Sequence, residues 1–158
     1  CESPGGIIVD QFSKLAVNLI IVALAAVASV APASGGVFFF ENNSGISIPD
    51  SGVATPYPST INVSGLTGRV THVVVGLTMS HTFPDHVEIL LVSPTGLQTA
   101  ILMSDAGGGV DMNNVNITFS DCARRLLGND SSIVSGRYRP SSYSSFGSLP
   151  SLPSPAVA

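Results

Sequence analysis

The chain has no tryptophan and only two cysteines; 10% of its 158 residues are charged and 6% are aromatic. Each scarcity excludes something. Six Lys and Arg against ten Asp and Glu give a formal net charge of −4. The six basic residues are scattered along the chain, so there is no basic stripe to neutralise a nucleic-acid backbone, and no nucleic-acid partner is expected. Two cysteines, Cys1 and Cys122, cannot make the dense disulfide framework of a small secreted scaffold. They also flank an apolar segment that reads as a cleavage region, so they are not expected to pair, and Cys122 reads as a small, partly buried side chain. What is plentiful is Gly and Pro, 16 and 11 residues, with recurrent Ser, Thr, Val and Asn. That mixture favours short strands and many turns. The length suits one domain with a real core and is too short for two of ordinary size.

The long apolar run is Leu15 to Val30, LAVNLIIVALAAVASV, preceded by Lys14 and followed by Ala31-Pro32-Ala33-Ser34-Gly35-Gly36. A basic residue, an apolar stretch and small residues at A-x-A spacing are the grammar of a secretory signal. Cleavage would fall after Ala33 or after Ala28. A second reading is a retained hydrophobic helix, acting as a membrane anchor or an assembly helix, since Pro4-Gly5-Gly6 and two acids make an unusual leader. A third is a buried helix, disfavoured because the run is apolar around its whole circumference. Residues 1–36 are therefore expected to be a signal peptide or hydrophobic anchor segment. They are the chain's expected contact with a membrane, and the rest is expected to be secreted or at the cell surface.

From Val37 onward, short apolar stretches alternate with turn residues. Val37–Phe40 stops at Glu41-Asn42-Asn43-Ser44-Gly45, and Ile46 and Ile48 alternate with Ser47 before Pro49-Asp50-Ser51-Gly52. Ile61 and Val63 form another short alternation. Val70–Ser80 is the clearest strand: Val73, Val75, Leu77 and Met79 share one face at period two, which predicts a half-buried strand. Val87–Val92 is continuously apolar, Thr99–Met103 follows, and Asn114–Ser120 alternates again with Val115, Ile117 and Phe119 on the buried side. Short strands at roughly ten-residue spacing predict an all-β, antiparallel β-sandwich or jelly roll over residues 37–143, preceded by an N-terminal hydrophobic helix. Residues 144–158 are a Ser/Pro-rich segment of linker composition.

Four segments in order carry a family resemblance: IPDSGVATPYPSTINVSGLTG (48–68), SHTFPDHVEILLVSPTG (80–96), ILMSDAGGG (101–109) and NITFSDCA (116–123), with SGRYRPSSY (135–143) after them. Together they resemble the P domain of proprotein convertases and its bacterial relatives, over about three quarters of the chain. The resemblance implies a galactose-binding-like β-sandwich that stabilises a subtilisin-like serine endopeptidase, or is attached to another exported protein. His86 stands where the family usually has a second acid, and Ser120 where it often has one. The closing strands that the family builds around an N-G-x-W-x-L-like segment are also missing. The domain is therefore expected to be truncated or completed by another chain, with an open edge prone to self-association.

Catalysis is not expected from the chain itself. Ser, His and Asp are present, but no subtilisin-like motif and no G-x-S-x-G elbow surrounds them. The candidate metal ligands are Asp85, Asp105 and Asp121, each in a turn or at a strand end, with Glu88 and Asp111 as additions. Clustered carboxylates in such turns would suit Ca2+, a hard cation that takes oxygen ligands. The competing reading is that these acids cap turns through side-chain-to-backbone hydrogen bonds. His81, Asp85 and His86 make a weaker zinc set without thiolates. Asn42, Asn62, Asn116 and Asn129 each begin an N-x-S/T triplet. Three functions follow as expectations: an exported accessory domain, a structural or adhesive subunit assembling through a retained hydrophobic helix, or a fragment of a longer subtilisin-like protease.

Overall fold

The computed structural model describes residues 18–20, 36–67 and 69–143. Among them the regular structure is all strand apart from one 3-10 turn, Pro84–His86. The strands are β1 (Asn18–Ile20), β2 (Val75–His81), β3 (Ile89–Val92), β4 (Thr99–Ser104), β5 (Met112–Phe119), β6 (Arg125–Leu126), β7 (Gly136–Arg139) and β8 (Ser141–Ser142). They form two four-stranded sheets, ordered β1-β3-β4-β8 and β2-β5-β7-β6.

Alternation in the sequence builds the core directly. On β2, Val75, Leu77 and Met79 register antiparallel with Phe119, Ile117 and Val115 of β5, and all six are buried. They meet Ile89 and Met103 of the other sheet in one cluster that also takes in Ile46, Ile61 and Val63. Burying a side chain of this kind is worth roughly 1.5–3 kcal/mol, so this cluster is the main source of stability.

Several expectations need correction. The sheets are mixed, not antiparallel: β2–β5 and β3–β4 run antiparallel, whereas β1–β3, β4–β8, β5–β7 and β6–β7 are parallel. The excursion 120–135 between β5 and β7 is long enough for the crossover that a parallel pair requires. β2 begins at Val75 rather than Val70, and it is covered on both faces, Gly76 and Thr78 being buried too. The 46–63 region forms no ladder, only a Ser47–Thr55 bridge with two 2.8 Å hydrogen bonds. Its apolar alternations are a few residues long, and Pro49, Pro56 and Pro58 have no N–H to give a ladder. Burial of Ile46, Ile48, Ala54, Ile61 and Val63 holds it in place, and the Asn42 amide reaches Ser59 Oγ at 3.2 Å and the Thr60 carbonyl at 3.0 Å.

Within the N-terminal apolar run, Asn18–Ile20 are an edge strand in register with Leu90–Val92, where a helix was expected. The rest of that expected helix, and the 144–158 segment, lie outside the described residues. No helix among the described residues is long and apolar enough to cross a membrane.

Candidate functional site

A groove of about 680 Å³ opens at the end of the molecule where the β3–β4 hairpin turns. Leu91, Ala100 and Leu102 line it from one sheet, Val75 and Phe119 from the other, with Val70–Val73 and Pro140 also in its walls. Side chains of β4 alternate, so Ala100 and Leu102 project to the same side. Leu102 is buried, whereas Ala100, nearer the start of β4, is exposed. His72, Ser93, Thr95, Gln98, Ser120 and Asp121 add polar groups to the same lining. An apolar floor with a few polar groups is the usual make-up of a binding site.

His72, Ser120 and Asp121 thus share one groove, but not as a hydrolytic triad. The Ser120 hydroxyl accepts from Arg137 Nη2 at 3.0 Å and from the Cys122 amide at 3.3 Å, which ties it to the loop after β5. No hydrogen bond among the described residues joins the His72 ring to Ser120 or Asp121.

The three expected metal ligands do not come together. Asp85 follows β2 and Asp105 follows β4, which puts both at one end of the sheets; the Asp85 amide donates to the Gly108 carbonyl at 3.3 Å. Asp121 follows β5, whose end registers with the start of β2. It is therefore separated from Asp85 by the length of β2, roughly 20 Å at ~3.3 Å per residue. No group of three or more His, Cys, Asp or Glu among the described residues is placed to hold a metal ion. The zinc set is likewise not assembled. His81 is buried and its Nδ1 accepts from the Phe83 amide at 2.9 Å, while the His86 ring stacks on Phe83 with centroids 4.3 Å apart.

What the Asp85 end does contain is a pair of carboxylates, Glu88 and Asp105, close enough for one to act on the other's charge. Burial, and then the charge of Asp105, push the Glu88 carboxyl above its ordinary range. Burial, and then Glu88, push the Tyr57 phenol up in turn. Glu88 is therefore within electrostatic reach of both Asp105 and Tyr57. Asp105 adopts φ +46° and its carboxylate accepts from the neighbouring Ser104 Oγ at 3.1 Å, a side-chain contact rather than the side-chain-to-backbone cap set against the calcium reading.

Cys122 corrects a further expectation. It is disulfide-bonded, although no pairing was foreseen, and the chain's other cysteine is Cys1. That expectation assumed that the N-terminal segment is removed. Sequence reasoning also missed the groove, whose walls come from segments far apart in the chain. Ser120, noted in the family resemblance, and Asp121, a candidate metal ligand, were sequence features that fall in its lining.

With this geometry in hand, comparison with protein-family models, curated proteins and solved structures finds no match.

Proposed function

We propose that residues 37–143 are an exported, non-catalytic accessory domain, a jelly-roll-like β-sandwich of the P-domain type. Its role is to contact and stabilise a protein partner, either a subtilisin-like catalytic domain or another exported protein. One observation carries the reading: Ala100 of β4 is exposed beside a largely apolar groove that the described strands leave unfilled, a surface suited to a protein partner. The ordered segments of the sequence resemblance supply the partner class.

The test is to titrate the full chain into a purified subtilisin-like catalytic domain and follow melting of both proteins. Mutual stabilisation, lost in Ala100→Arg, supports the reading. Unchanged melting of both proteins across the titration removes it. Calcium enters the proposal only at the Asp85–Glu88–Asp105 end, without Asp121. A melting temperature raised by millimolar calcium and restored by chelator supports it, and an unchanged one discards it.

The second reading is a structural or adhesive subunit that keeps its N-terminal segment. The disulfide at Cys122 and the pairing of β1 with β3 favour it. Mass spectrometry of the mature N-terminus separates the two: a chain beginning at Cys1 favours the subunit, and one beginning after Ala28 or Ala33 favours the cleaved accessory domain.

A further inference from the structure

The fold lays two short basic stretches of the sequence side by side. Four of the six basic residues, Arg124, Arg125, Arg137 and Arg139, lie on or beside the β6–β7 pair, and all four are exposed. Parallel register places Arg125 beside Tyr138 and Leu126 beside Arg139. Arg137 and Arg139 are two residues apart on β7, hence on one face, about 7 Å from each other along the strand. Arg124 immediately precedes β6. Two of the guanidinium groups are already oriented: Arg137 donates to Ser120 Oγ at 3.0 Å, and Arg125 lies over the Tyr138 ring at 5.1 Å from its centroid. None of the four forms an ion pair among the described residues. The rest of the chain is correspondingly acidic, since the whole carries a net charge of −4.

β6 also ends its sheet, and no described residue pairs with its outer side. An edge strand offers unpaired backbone groups, and edge charges guard it against a like-charged neighbour while favouring an oppositely charged one. Leu126, 48% exposed among the arginines, adds an apolar contact at the same edge.

We propose that the β6 edge is a docking site for an extended acidic polypeptide segment, which adds a strand beside Arg125–Leu126 and sets its carboxylates against Arg124, Arg137 and Arg139. Backbone pairing would supply the register, and the arginine fork, suited to bidentate carboxylate contact, would select the charge. Arg137 ties this edge to Ser120 of the β4 groove, but the outer side of β6 lies outside the groove lining, so strand addition there can fail or hold independently of the accessory-domain reading.

The test uses the full chain and a fluorescent eight-residue peptide alternating Glu and Val, followed by anisotropy at low and at physiological salt. The comparison probes are the Lys–Val counterpart, the Glu–Val peptide N-methylated at alternate residues, a sulfated oligosaccharide and a single-stranded oligonucleotide. The expected result is binding of the Glu–Val peptide, weakened by added salt and not shown by the Lys–Val peptide. Arg124→Gln/Arg139→Gln, whose side chains make no hydrogen bond among the described residues, should weaken it at least tenfold while melting like the parent. N-methylation should weaken it comparably. Absence of Glu–Val binding at low salt overturns the proposal, as does binding that the double variant leaves unchanged. Equal binding of the N-methylated peptide overturns strand addition, and tighter binding of the oligosaccharide or oligonucleotide overturns the polypeptide as occupant.

Discussion

Gly107 sits in the turn after β4 at φ +96°, and its amide donates to the Gly128 carbonyl at 2.9 Å. A Cβ there would lie 2.7 Å from Ile133 Cδ1 and 2.8 Å from Pro84 Cβ. Left-handed backbone costs an L-residue about 1–2 kcal/mol, and overpacking a buried site adds about 1–3 kcal/mol. Gly107→Ala is accordingly expected to lose roughly 2–5 kcal/mol in urea unfolding, and an unchanged midpoint would contradict this packing. Two residues earlier, Asp105 is also left-handed, a conformation that Asn tolerates and Ala does not. Asp105→Asn should keep the turn and lower the Glu88 pKa toward its ordinary range, whereas Asp105→Ala should destabilise. The sign of the pH effect follows from Glu88, whose raised pKa means that the fold disfavours its charge. That cost is absent below the ordinary Glu range, grows as pH rises toward the raised folded value, and is complete above it. Glu88→Gln is therefore expected to melt higher than the parent at neutral pH and alike at strongly acid pH; a pH-independent difference would refute this coupling.

Among the elements, β5 carries the most weight because it joins β2 on one side and β7 on the other. Its inward residues Val115, Ile117 and Phe119 are the alternation visible in the sequence, and its outward Asn116 accepts from Thr78 Oγ1 at 2.6 Å across the ladder. Phe119 is 1% exposed and lies where the core meets the groove. Phe119→Ala should cost about 3–5 kcal/mol by calorimetry or denaturant titration, since the site is packed from both sheets. A loss below 1 kcal/mol would mean that the groove floor collapses onto the vacancy. β4 behaves in the opposite way. Its far end, Met103 and Ser104, is fully buried and paired with β8, while its start at Thr99 and Ala100 is exposed. One strand thus serves as core at one end and as candidate binding wall at the other.

For the whole molecule, the disulfide at Cys122 matters most. A disulfide restricts the unfolded chain and typically adds about 2–4 kcal/mol. Reduction should lower the melting temperature, and non-reducing peptide mapping should join the Cys122 peptide to that of Cys1, the other cysteine of the chain. Free thiol at Cys122 in the mature protein would show instead that the N-terminal segment is not covalently held. The sequence by itself determined the all-β character and most of the core. Period-two alternation at Val75, Leu77, Met79, Val115, Ile117 and Phe119 can bury one face only as strand, and that is a local property. Turn residues likewise marked the ends of β3, β4 and β5 to within a residue or two. Tertiary structure alone decided the rest. Strand partners and their direction depend on crossovers such as 120–135, so the parallel pairings were invisible to any local pattern. The same long-range geometry sent Asp121 to the opposite end of β2 from Asp85, left Ala100 exposed beside a groove, and laid Arg124 and Arg125 alongside Arg137 and Arg139 at one sheet edge. Spacing along a chain fixes which face a residue takes on its own strand, but which strands then lie side by side is settled only when they compete for a common core.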